Sequence, residues 1–137
     1  MLEKSSRSIM ELNQVTVPCT NYLQSVNFYV RLGLRQIVDS PQRYARFETA
    51  SGTTFSIHKV EANNMLADIV IYFEVENVDD VVSKLQTRGV TFEGDPVDQN
   101  WLWREAYLRD PAGNRLCIYH AGNNRRFPPW RLTDSSA

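Results

Sequence analysis

Residues 68–89 read DIVIYFEVENVDDVVSKLQTRG, and the two halves of this stretch have different periods. Ile69, Ile71, Phe73 and Val75 fall on one side of an extended chain, with Val70, Tyr72 and Glu74 on the other, as in a strand with one aliphatic face. After Asn77 the period becomes helical, with Val78, Val81, Val82 and Leu85 at i, i+3, i+4 and i+7. Asn77 is a favoured N-cap, because its side-chain oxygen accepts a bond from an orphaned backbone N–H. Asp80 adds negative charge at the positive end of the helix. Gly89 supplies the left-handed residue that closes it.

The same unit stands earlier in the chain. LNQVTV (12–17) leads to Asn21, then YLQSVNFYVRL (22–32), then Gly33, and in both copies the glycine follows the asparagine by twelve positions. Tyr22, Val26, Tyr29 and Val30 form the matching apolar stripe. Three strand-like runs follow each helix. They are LRQIVD, RYARFET and TTFSIHKV after the first, with turn signals at Ser40-Pro41 and Ser51-Gly52. After the second come VTFEG, WLWREAYLRD and NRLCIYH, broken at Asp95-Pro96 and at the turn 110–114. An internal repeat of this kind predicts an α+β fold of two tandem βαβββ modules, 11–60 and 67–120, within one domain spanning 11–122. Residues 1–10 form a flexible N-terminus, with residues 1–8 and those from Ser135 onward expected to be loose, Glu61–Leu66 a linker, and 123–137 a C-terminal tail.

Composition narrows the function classes. A chain of 137 residues with 42% hydrophobic and 23% charged residues buries enough surface to fold without staples. Its net charge of −1 lacks the basic excess of a nucleic-acid binder, the densest basic spot being Arg125-Arg126 with Arg131. No apolar run approaches the roughly 20 residues of a membrane span. The opening MLEKSSRSIMEL has no apolar core of a secretory signal, and Cys19 and Cys117 make no disulfide framework, so a cytoplasmic protein with reduced thiols is expected.

SVNFYVRLGL, FEVENVDDVVSKLQTRGV and YLRDPAGNRLCIYH, in this order and spacing, resemble signatures of the vicinal oxygen chelate superfamily of glyoxalase I, extradiol dioxygenases and bleomycin-resistance proteins. The resemblance covers about residues 12–120. It implies a cup-shaped mixed sheet with both helices on its outer face, a small-molecule site in the cup, and a homodimer. It does not select one chemistry, since lyases, dioxygenases and plain binding proteins share the scaffold.

Strand parity assigns cup residues. Val15 and Val17 pack under the first helix and leave Gln14 and Thr16 inside; Phe55 and Ile57 do the same for Thr54, Ser56 and His58. Leu102, Ala106 and Leu108 oppose Trp103, Glu105 and Tyr107, while Leu116 and Ile118 oppose Arg115, Cys117 and Tyr119; His120 goes to the surface. Tyr44, Arg46 and Glu48 share a face and are candidates for the cup rim. A solvated sheet face would be polar anyway, but its load of aromatics favours a pocket. The expected ligand-binding residues are Gln14, His58, Tyr72, Trp103, Glu105, Tyr107 and Tyr119, the aromatic ones stacking and Gln14, His58 and Glu105 orienting polar groups.

Metal-dependent members hold a divalent ion on four inward positions, and the resemblance places those at Gln14, Ser56, Val70 and Cys117. Only Gln14 is a usual ligand type, so no metal and no cofactor is expected. A relocated set of Gln14, His58, Glu74 and Glu105 is the alternative, and would make the chain a metal-dependent lyase or dioxygenase. Cys117 as a nucleophile with His58 as base is weighed against Cys117 as a buried hydrophobe. Glu105 is the one candidate acid/base, through desolvation between Trp103 and Tyr107, unless it pairs with Arg104, Arg46 or Arg115. The tail GNNRRFPPWRL is expected to run as an extended strap anchored by Phe127 and Trp130, packed on the cup or on a second subunit. A small organic molecule is therefore the expected partner; whether the protein is an enzyme stays open. One further reading is a dimeric interaction module whose cup is filled by its own tail.

Overall fold

A computed structural model describes residues 9–62 and 68–133. The elements are β1 (Glu11–Cys19), α1 (Tyr22–Leu32), β2 (Arg35–Ser40), β3 (Tyr44–Glu48), β4 (Thr54–Lys59), β5 (Val70–Glu74), α2 (Val78–Thr87), β6 (Val97–Asp98), β7 (Arg104–Arg109) and β8 (Arg115–His120), followed by a 3-10 turn at Gly122–Asn124. All eight strands form one sheet in the order β2-β3-β4-β1-β5-β8-β7-β6. The repeat is visible in the pairing: β1 lies parallel to β4 and β5 parallel to β8, and antiparallel β1 and β5 join the halves.

Both helices start and stop as the repeat predicts. Asn21 Oδ1 accepts from the Gln24 N–H at 3.1 Å, and Asn77 Oδ1 from the Asp80 N–H at 3.0 Å. Gly33 (φ 112) and Gly89 (φ 91) take the left-handed position, letting Leu34 and Val90 donate back to the Tyr29 and Leu85 carbonyls. Tyr22 of α1 packs with Cys19, Ala45, Phe47 and Ile57, and Val78, Val81 and Val82 of α2 pack with Val75, Ala106, Leu108 and Ile118. A third cluster, on the opposite face, holds Val70, Tyr72, Trp103, Cys117, Tyr119 and Ala121. The fold is thus α+β with a cup-like sheet and helices on its outer face.

Several local expectations need correction. VTFEG is not a strand: its backbone makes one bond across, from the Glu93 N–H to the Tyr107 carbonyl, and Pro96, which has no N–H, precedes the short β6. WLWREAYLRD pairs only from Arg104, because Leu102 turns into the left-handed region (φ 70) and faces solvent. Ile69 stands just before β5 and is exposed. Val30 is exposed too, since eight residues at about 100° each carry it about 80° away from Tyr22 around the helix. The expected linker Glu61–Leu66 falls mostly outside the described residues, as do residues 1–8 and 134–137.

Candidate functional site

Sheet register lays the cup out in rows. One row runs Glu48, Thr54, Gln14, Tyr72, Cys117, Tyr107, and the next runs Arg46, Ser56, Thr16, Val70, Arg115. The half built from β1, β3 and β4 is a polar mesh. Gln14, fully buried, donates to Ser56 Oγ at 2.9 Å and to Thr16 Oγ1 at 3.0 Å, and accepts from Thr54. Ser56 also shares a 2.7 Å bond with the Tyr44 hydroxyl, which accepts from Arg46 Nε at 2.9 Å. Arg46 therefore sits in the cup's interior, 1% exposed, rather than on its rim.

The half built from β5, β7 and β8 is aromatic. Tyr72, Trp103 and Tyr119 form a triad with ring centroids 4.9 to 5.7 Å apart, in edge-on and tilted contacts. The Arg46 guanidinium reaches across and lies 4.6 Å from the Trp103 ring, so the two halves meet through a cation–π contact.

Glu105 closes the far side. It is 1% exposed, and its carboxylate accepts from the Tyr107 hydroxyl at 2.6 Å, Trp101 Nε1 at 2.9 Å and Gln99 Nε2 at 3.3 Å. The arginines that might have paired with it are engaged elsewhere: Arg104 with Asp79 and Asp98, Arg115 with Glu93, Arg46 with Tyr44 and the tail. Burial raises the Glu105 carboxyl above its ordinary value, and the three donors only partly oppose that. Burial likewise raises the Tyr72, Tyr107 and Tyr119 hydroxyls.

The other sequence candidates divide. Trp103, Tyr72, Tyr119 and Glu105 share the cup interior with Gln14, and Tyr107 lines its side beneath Arg115, 4.1 Å from its ring. His58 stands at the exposed end of β4, and partial burial lowers its pKa. His120 is half exposed, its ring within 2.9 Å of the Val75 carbonyl. Cys117 is fully buried with its thiol pKa pushed up by burial, and three strand spacings separate β8 from β4, so Cys117 and His58 form no nucleophile–base pair.

The four positions that the resemblance assigns to a metal offer an amide and a hydroxyl already committed to neighbours, a hydrocarbon and a buried thiol. That donor set does not fit a hard divalent cation. The relocated set is not gathered either. Glu74 accepts from the Ala121 and Gly122 N–H groups and from Asn13, while Glu105 lies two strands away, about 10 Å at the backbone. Among the described residues, no three His, Cys, Asp or Glu side chains converge.

The tail lies over the cup, but not as an extended, aromatic-anchored strap. It turns at Gly122–Asn124, and bonds from the Phe127 N–H to the Asn123 carbonyl and from the Arg131 N–H to the Pro128 carbonyl keep it coiled. Phe127 and Trp130 remain 53% and 44% exposed. Arginines hold it instead. Arg125 Nη1 donates to the Gly52 carbonyl at 2.8 Å, while Arg126 and Arg131 both grip Glu48 at 3.1 Å and draw its pKa down. The Asn124 carbonyl accepts from Trp103 Nε1 at 3.1 Å and Arg46 Nη1 at 3.2 Å, and the Arg125 carbonyl from Arg46 Nη1 at 3.0 Å.

Sequence reasoning missed the interior place of Arg46 and the part played by Asn13, Gln99 and Trp101. A charge flanked by Ala45 and Phe47, both in the α1 core, was the available signal for Arg46. For Gln99 and Trp101 there was none, because the turn at Leu102 breaks the parity that would have aimed them.

A cup of two βαβββ halves, with degenerate central positions and an aromatic wall, defines the class. The chain matches the model of the Glyoxalase/Bleomycin resistance protein/Dioxygenase superfamily over residues 11–118 and belongs to that family. It is 30% identical over 131 residues to the uncharacterized protein YraH of Bacillus subtilis strain 168, covering 80% of this chain and 98% of that one. Among solved structures it resembles the hypothetical protein BH1468 from Bacillus halodurans C-125 (TM-score 0.69, 17% identity, 82% and 95% covered). It also resembles a superfamily member from Vibrio splendidus 12B01 (TM-score 0.61, 10% identity, 81% and 98% covered).

Proposed function

We propose that this chain is a small-molecule-binding protein of the glyoxalase/bleomycin-resistance type whose cup works without a metal ion. The observation that carries the reading is the chemistry at the four central cup positions. Gln14 and Ser56 brace the sheet, Val70 and Cys117 pack against aromatic rings, and no donor is left for a cation. Beside them, Tyr72, Trp103 and Tyr119 offer stacking surfaces, and Glu105 offers a buried acceptor. These are the features of an organic ligand's pocket: mostly apolar walls with a few placed polar groups. Should the bound molecule also be transformed, Glu105 is the buried carboxyl whose pKa, raised by burial, suits it to proton transfer.

The proposal includes a second copy of the chain as partner, a cytoplasmic setting and no dealings with nucleic acid or lipid. Leu23, Phe28, Val30 and Leu32 on the outer side of α1 are exposed apolar side chains that pairing would cover. A net charge of −1 offers nucleic acid little attraction, and no helix among the described residues is long and apolar enough to cross a membrane. The test is a thermal-shift screen of small aromatic molecules in the presence of EDTA, run alongside light scattering for the oligomer. A ligand that raises the midpoint equally with and without EDTA supports the reading. Hits that appear only when a divalent ion is supplied refute it.

A further inference from the structure

Among the described residues, the strap brings more positive charge to the cup mouth than the carboxylates there balance. Four arginines meet there, Arg46 from β3 with Arg125, Arg126 and Arg131, and the described carboxylates that pair with this group are Glu48 and Glu74. Arg46 is the deepest of the four. Its bonds go to the Tyr44 hydroxyl and to the Asn124 and Arg125 carbonyls, and its faces lie against Trp103 and Tyr44. A buried cation whose acceptors are all neutral is under-compensated, because no opposite charge offsets the cost of taking it out of water.

We propose that Arg46 anchors a site for a small aromatic carboxylate, and that strap residues 123–132 occupy this site in the described state. The inference rests on the proposed use of the cup for an organic ligand and names that ligand's class. The two strap carbonyls on Arg46 Nη1 stand where carboxylate oxygens bind, and Trp103 Nε1, which now donates to one of them, is a further donor. The planar guanidinium fork suits a carboxylate better than two carbonyls from adjacent peptides. Tyr72 and Tyr119 provide the wall for the ligand's ring.

The strap is built to leave. Its aromatic residues Phe127 and Trp130 stay largely in solvent, and its two ion pairs with the first module share one carboxylate, Glu48. Among its other ties are bonds to neutral backbone groups of Ile37 and Gly52 and from Arg46. A ligand that binds only the strap-open state has its apparent affinity reduced by the open fraction. Loosening the latch therefore tightens binding without altering any residue that touches the ligand.

The full-length chain, Arg131→Gln, and Arg131→Gln combined with Arg46→Met are titrated calorimetrically with benzoate and with its neutral isostere benzamide. Trypsin cleavage after Arg125 and Arg126 reports the strap. Arg131→Gln removes a positive charge, so tighter anion binding in that variant reports opening and not local electrostatics. We expect benzoate to bind Arg131→Gln about tenfold tighter than the unaltered chain, benzamide at least about tenfold more weakly than benzoate, and added benzoate to speed cleavage. Loss of the benzoate gain on adding Arg46→Met supports the anchor, and its persistence overturns it. The benzamide comparison in Arg131→Gln alone decides the ligand class even if the double variant fails to fold. Benzamide binding as tightly as benzoate overturns the carboxylate while leaving the organic-ligand reading standing. Benzoate that binds without exposing the strap overturns the strap as occupant. An Arg131→Gln strap still resistant to trypsin overturns the latch, and an open strap with no binding of either probe overturns the whole proposal.

Discussion

Trp103→Ala is the perturbation that probes the cup most sharply. Trp103 is 2% exposed, touches Tyr72 and Tyr119 in the aromatic triad, supports the Arg46 guanidinium and donates to the Asn124 carbonyl. Truncating a fully buried tryptophan costs about 3–5 kcal/mol from lost transfer energy and the residual cavity. Loss of the cation–π contact and of the indole donor places this case at the upper end of that range. For a chain of this size, each kcal/mol lowers the midpoint by about 3–5 °C, so the melt should fall by roughly 15–25 °C. Urea unfolding followed by far-UV circular dichroism measures the free energy directly. Trp130→Ala is the control: its side chain is 44% exposed, and removing it should cost less than about 1 kcal/mol. Trp103→Ala costing no more than Trp130→Ala would refute the claim that the aromatic triad and Arg46 knit the two halves together.

Further expectations concern protonation and reactivity. Because burial raises the folded-state pKa of Glu105, its ionisation destabilises the fold: the penalty is absent below the ordinary carboxylate pKa and complete above the raised one. Unfolding free energies of the parent chain and Glu105→Gln, compared between pH 4 and pH 8, should therefore show the parent losing stability relative to the variant as pH rises; a pH-independent difference would sink the assignment. Glu48 runs the other way, its depressed pKa giving strap stabilisation that is present above the ordinary carboxylate pKa and lost as pH falls through the lowered value. Trypsin-independent strap mobility, read by hydrogen exchange at the Leu132 amide that now bonds the Ile37 carbonyl, should rise in acid, and unchanged protection would count against the latch. Cys19 and Cys117 are both buried with raised thiol pKa values, so a thiol reagent should modify neither in the native protein and both after denaturation. Fast labelling of native Cys117 would show the cup to be open.

What was legible in the sequence follows from where local signals dominate. Helix caps and stops are set by a few adjacent atoms, so Asn21, Gly33, Asn77 and Gly89 announced both helices and, through their equal spacing, the repeat. Two-residue alternation sorted β1, β4, β5 and β8 correctly because these central strands are covered on both faces. At the β6–β7 edge the same alternation failed, since Pro96 and the left-handed Leu102 interrupt pairing in ways that parity does not encode. The cup's polar contacts were the least legible part. Whether Glu105 meets an arginine or Trp101, and whether Arg46 faces solvent or a tail carbonyl more than 75 positions onward, depends on long-range closure. Phe127 and Trp130 misled for a related reason: apolar bulk suggests burial, yet the strap's arginines reach Glu48 while both rings stay exposed, Phe127 with the Arg126 and Arg131 guanidiniums against it.

The central claim is that this family cup has given up its metal. Metal content of protein purified without a histidine tag, followed by thermal melts with Ni²⁺, Mn²⁺, Fe²⁺ or Zn²⁺ and then chelator, tests it most directly. The donor set at Gln14, Ser56, Val70 and Cys117 predicts far less than one ion per chain and a midpoint indifferent to every addition. A stoichiometric ion, or a midpoint that rises with one metal and falls with chelator, would contradict the account and turn attention to Gln14, His58, Glu74 and Glu105 as ligands.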